Sequence, residues 1–107
     1  MKNKIKPEIK VGHKIIGEKY EPILIAELGI NHNGDLNEAK KIVNAAYSAG
    51  AEIIKHQTHI VDDEMTEEAK KIIPSNAKQN IYEIIKKCSL SETDEFKLMN
   101  YVKKKGM

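Results

Sequence analysis

Three polar side chains stand out for the places they occupy. Glu27 follows the apolar run Ile23-Leu24-Ile25-Ala26, and Lys55 and Gln57 follow Ile53-Ile54. A carboxylate at the C-terminal end of a buried parallel strand is where α/β proteins tend to place chemistry. Should the two runs be neighbouring parallel strands, their ends meet, and a carboxylate, an ammonium and an amide converge on one mouth. There the ammonium could bind a phosphate or a carboxylate, and the carboxylate could move protons. Positions 55 and 57 share one face of a strand, and a lysine is rarely buried without a partner. Lys55 and Gln57 are therefore expected to line a polar cavity.

The remaining candidates read more plainly. His56 and His59 differ by an odd number, so on one continuous strand they face opposite ways and make a poor chelate. His32 lies in a turn and reads as a capping or loop residue; His13 reads as part of a hairpin turn. Asp62-Asp63-Glu64 could bind a hard cation but reads as a solvated loop. Cys88 is the lone cysteine, which excludes an internal disulfide, and it reads as a helix packing residue. Tyr82 and Tyr101 fit amphipathic packing. Asn33-Gly34 lacks the further glycines of a nucleotide-binding loop. No metal ligands are assigned.

The elements that must position these residues follow from pattern. Ile5, Ile9 and Val11 alternate with polar residues, Gly12-His13 signals a turn, and Ile15-Ile16 follow, which predicts a short β-hairpin. Ile23 to Ala26 reads as a strand buried on both faces. Asp35 with Glu38 forms a capping box for a helix whose Leu36, Ala39, Val43, Ala46 and Tyr47 share a face, with Gly50 to end it. Ala51 to Ile60 reads as the second strand. Residues 61–80 form a long excursion in which Thr66 could cap a short helix stopped by Pro74. Such loops beyond a strand end are often functional. Asn80 with Glu83, and Ser91 with Asp94, open two more helices. The last, residues 92–105, puts Glu95, Leu98, Met99 and Val102 on one face.

The chain has 107 residues, one domain at most. Aromatics are 5%, so the core is aliphatic, and a net charge of +2 is too small to imply nucleic acid or an acidic membrane. The N-terminus MKNKIKPEIK lacks the apolar core of a signal peptide, and no apolar run has transmembrane length. A cytoplasmic protein is the expectation. β-α-β units of this kind build barrels or doubly wound sheets. Two parallel strands cannot close a barrel, and alone they leave open edges. The chain is therefore expected to be the N-terminal part of a larger protein. Residues 1–21 are read as a hairpin extension and 22–107 as the first β/α units of an α/β fold.

Residues 26–65, AELGINHNGDLNEAKKIVNAAYSAGAEIIKHQTHIVDDEM, closely resemble the N-terminal part of the bacterial sialic acid synthases (N-acetylneuraminate synthases). The family's AEIGINHNG segment is similar to Ala26 to Gly34, with Leu28 where isoleucine is usual. Its AGA-x-x-x-K-x-Q-T strand is similar to Ala49 to Thr58. The run Lys55 to Ile60, followed by acids, looks like the neuraminate branch; branches making legionaminic or pseudaminic acid more often carry phenylalanine after that lysine. IIPSNA, NIYEIIKKC and YVKKKGM also match.

The resemblance implies a (β/α)₈ TIM barrel that condenses phosphoenolpyruvate with N-acetylmannosamine to give N-acetylneuraminate and phosphate. It implies a divalent metal, Mn²⁺ or Mg²⁺, with ligands on later strands, and a homodimer of the full-length enzyme. Carried over by position, Glu27 is the catalytic carboxylate, Lys55 binds the charged groups of phosphoenolpyruvate, Gln57 holds the intermediate or sugar hydroxyls, and Asn76 contacts the sugar. A synthase of a related nonulosonic acid is the alternative, as is a catalytically inactive fragment. The 107 residues alone are expected to be inactive.

Overall fold

The computed structural model describes residues 6–107; the alternation expected at Ile5 lies outside the described residues. A hairpin opens the chain, with β1 (Glu8–Val11) antiparallel to β2 (Lys14–Gly17). Its two-residue loop has Gly12 at φ 61°, a positive value that a tight hairpin loop favours and glycine accepts freely. Lys14 forms an ion pair with Glu52, which ties the hairpin to the start of the second parallel strand.

The next three elements make a β-α-β unit. β3 (Ile25–Glu27) and β4 (Ile53–Lys55) pair in parallel, in the register Ile25↔Ile53, Ala26↔Ile54 and Glu27↔Lys55. Helix α1 (Leu36–Ser48) connects them. Asp35 caps it by accepting from the Asn37 and Glu38 amides at 2.7 and 3.1 Å. It ends in a Schellman arrangement, with the Gly50 amide donating to Tyr47 and the Ala51 amide to Ala46.

The 61–80 excursion is held at several points. Thr66 Oγ1 accepts from the Ala69 amide, opening a 3₁₀ turn at Ala69–Lys71. The Ile81 amide donates to Ile72 at 2.8 Å and closes the loop. Tyr82 donates to Asp62 at 2.6 Å, with Lys70 and Lys86 over its ring. Helices α2 (Ile81–Cys88) and α3 (Glu92–Lys104) follow, capped by Asn80 and Ser91 as their sequences predict.

The core is small and lies between β3, α1 and α3. Leu28, Ala39, Val43, Leu90 and Leu98 are buried, with Ile54, Tyr101, Val102 and Met107 packed partly against them. Tyr101 also donates to Asn44 at 2.7 Å, joining α3 to α1. Among the described residues no helix is long and apolar enough to cross a membrane.

Two expectations about the strands are corrected. The first strand is not buried on both faces: Leu24 is 53% and Ile25 51% exposed. Among the described residues the sheet holds only β3 and β4, whereas strands buried on both faces belong to sheets covered on each side. The second strand does not run to Ile60; it ends at Lys55. A strand persists only while a neighbour accepts and donates across the ladder. Its partner β3 ends at Glu27, after which the Leu28 amide donates to Lys55 at 2.9 Å and the chain turns away.

Candidate active site

Parallel pairing places Glu27 directly beside Lys55. Lys55 Nζ donates to Glu27 Oε1 at 2.7 Å. The Lys55 hydrogen bond, and then its charge, hold the Glu27 carboxyl below its ordinary value, with a small opposing effect of burial. Glu27 is thus a carboxylate at neutral pH, able to accept a proton. The two side chains remain 68% and 59% exposed, and an exposed ion pair contributes little to stability. The pair stands at the open end of the sheet, where an incoming anion could take Lys55 and release Glu27 as a base.

The other two sequence candidates are not joined to this pair. Gln57 is exposed two residues beyond the end of β4. Asn76 is exposed in the turn spanned by the Ala77 amide and the Pro74 carbonyl, 3.0 Å apart. Among the described residues neither is hydrogen-bonded to Glu27 or Lys55. Lys55 and Gln57 are both exposed, so among the described residues they do not line the enclosed polar cavity that was expected.

A group of histidines lies on the other side of the same segment. His32 lies in the turn, as expected, and its ring is buried there: it is 1% exposed, with its centroid 5.4 Å from that of His56. Its Nδ1 accepts from the Gly34 amide at 3.1 Å, so in the neutral ring the proton lies on Nε2. His56 Nε2 lies 2.9 and 2.8 Å from the two oxygens of Glu95 on α3. His59 Nδ1 lies 2.9 Å from Glu64. The odd spacing of 56 and 59 has no bearing on their relation, because neither belongs to a strand. The signal for the first pair was Glu95 itself, a carboxylate on the apolar face of a predicted helix, which calls for a buried partner.

Burial, and next the proximity of His56, lower the His32 pKa, and the Glu95 charge partly opposes them. The unfolded chain therefore takes up a proton more readily than the folded one. The stability linked to His32 is complete above about 6.5, its ordinary value, and is lost as pH falls toward the folded pKa. In an NMR titration His32 is expected to titrate below 6.5; a midpoint at or above that value would contradict its burial.

The donors do not make a metal centre. His32 Nε2, His56 Nδ1 and His59 Nε2 are buried without a protein partner, but the first carries the proton in the neutral ring. Two nitrogens fall short of the three or four protein ligands a bound transition metal usually has. Among the described residues no group of three or more His, Cys, Asp or Glu side chains could hold an ion.

Comparison with known proteins places this geometry in context. The NeuB family model matches residues 42–107. The N,N'-diacetyllegionaminic acid synthase of Legionella pneumophila is 37% identical over 102 residues, spanning 90% of this chain and 28% of the relative. The pseudaminic acid synthase of Helicobacter pylori is 40% identical over 73 residues, 64% of this chain and 21% of the relative. Among solved structures, the N-acetylneuraminic acid (sialic acid) synthetase of Leptospira borgpetersenii, crystallised with citrate, superposes with a TM-score of 0.77 at 26% identity. That match covers 95% of this chain and 32% of the other. The chain thus spans less than a third of each of these relatives.

Proposed function

Because the chain belongs to the NeuB family, we propose that it forms the opening β/α units of the catalytic barrel of a nonulosonic acid synthase. The observation that carries this reading is the Glu27–Lys55 pair, 2.7 Å apart and exposed at the matching ends of two parallel strands. The residues of the chain itself suit the reaction. Lys55 binds the phosphate or carboxylate of phosphoenolpyruvate. Carbon 3 of phosphoenolpyruvate then bonds to the aldehyde carbon of N-acetylmannosamine, whose oxygen takes up a proton. Water adds at carbon 2, and Glu27 accepts its proton. The tetrahedral intermediate collapses, breaking the bond from carbon 2 to the phosphate-ester oxygen, and leaves N-acetylneuraminate and phosphate. Gln57 and Asn76 hold sugar or intermediate hydroxyls once the barrel is complete. The described residues do not fit a divalent ion, so its ligands would come from elsewhere in a longer, dimeric, cytoplasmic protein.

His56 after Lys55 favours the neuraminate product. The second reading, a legionaminic-type product, is favoured by the 37% identity to a legionaminic acid synthase. Phosphate release by the full-length protein distinguishes them. With N-acetylmannosamine the initial rate is expected to exceed that with the diacetamido precursor of legionaminic acid by at least about tenfold, within the range a pocket distinguishes by a substituent. A reversed order would give the second reading, and no release with either sugar would overturn both.

A further inference from the structure

We propose that Glu95 is a positioning residue that sets where Gln57 points. The proposal rests on the reading of Gln57 as a substrate-binding group. Its basis is a pair of contacts that flank Gln57 in one short segment. His56 and Thr58 both reach Glu95: His56 Nε2 lies within 2.9 Å of either carboxylate oxygen, and Thr58 Oγ1 donates to Oε2 at 3.2 Å. Gln57 lies between those two anchors in the chain and is exposed.

The segment needs such an anchor because the sheet no longer supplies one. β4 ends at Lys55, so residues 56–60 have no ladder of backbone hydrogen bonds to fix their direction. A side-chain clamp takes over that task. Glu95 is suited to it, since a carboxylate can accept from two donors at once, and hydrogen bonds to an ionised acceptor are stronger than neutral ones. The Glu95 and His56 side chains are each only 16% exposed, where water competes little for the contact. His59 and Glu64 make a second imidazole–carboxylate pair a few residues on, which steadies the far end. α3, anchored in the core through Leu98, therefore reports its position to the substrate side of the segment through Glu95.

The test uses the full-length protein, with Glu95→Leu to remove both acceptors, Glu95→Gln to keep one, and Thr58→Val to remove a single exposed anchor without disturbing the core. Glu95→Leu is expected to raise KM for N-acetylmannosamine about tenfold or more, since a displacement near 1 Å is enough for such losses. Glu95→Gln should recover part of it, and Thr58→Val should show a smaller rise. Amide hydrogen exchange at residues 57–59 should quicken about tenfold in Glu95→Leu while the rest of α3 keeps its protection. Unchanged KM and unchanged exchange in Glu95→Leu and Thr58→Val would overturn the proposal. So would a fall in melting temperature with no change in KM. If the unsubstituted protein releases no phosphate from phosphoenolpyruvate, the functional reading fails, and the exchange measurement alone decides whether Glu95 holds the segment.

Discussion

Replacing Glu27 by glutamine in the full-length protein is expected to lower turnover by about 10²–10⁴-fold, the usual contribution of a positioned proton-transfer group. Glutamine keeps the size of the side chain and can still accept from Lys55 through its carbonyl. What it removes is the negative charge, and with it the ability to take a proton from water. The Lys55 hydrogen bond keeps Glu27 ionised before substrate arrives. When an anionic substrate draws Lys55 away, that restraint weakens and the carboxylate becomes a better base. The side chain is 68% exposed, so the fold should not register the change. Steady-state kinetics with circular dichroism as a fold control makes the measurement. Near-normal turnover in a folded variant would remove Glu27 from the chemistry.

Gly34→Ala should cost stability where Glu27→Gln does not, by about 2 kcal/mol or more. Gly34 has φ 74°, and an L side chain in that region costs roughly 1–2 kcal/mol. A second penalty adds to it. A Cβ on Gly34 would stand 2.6 Å from the Lys87 carbonyl oxygen and 3.2 Å from that of Ser89. Both are backbone atoms at the end of α2, so no rotamer change relieves the contact; the helix end must move. The same residue donates its amide to His32 Nδ1, which couples the turn to the buried histidines. Chemical denaturation checks the outcome, and a loss below about 0.5 kcal/mol, the range of ordinary surface changes, would show that the turn yields easily.

Local features were legible in the sequence because their causes are local. Asp35, Asn80 and Ser91 each cap the helix that their spacing predicts. Asn33-Gly34 forms the turn its composition signals, with φ 52° and 74°. The β-α-β connection and the meeting of Glu27 with Lys55 also followed, since both rest on where two apolar runs end. For His56 and His59 the expected placement on opposite faces of one strand fails for an equally specific reason: β4 ends at Lys55, and alternation applies only where a partner strand holds the backbone extended.

By itself, then, the sequence determined the order of the elements, their caps and turns, and the residues from which a carboxylate–ammonium pair would be built. Each depends on dihedral preference, capping chemistry or hydrophobic period, which neighbouring residues settle among themselves. Only the tertiary structure decided that β4 stops at Lys55, that His32 is buried against His56, and that Glu95 grips both sides of Gln57. Those facts depend on which distant groups arrive within hydrogen-bonding distance and exclude water, and residue 95 meets residue 56 only after α3 has packed on the core.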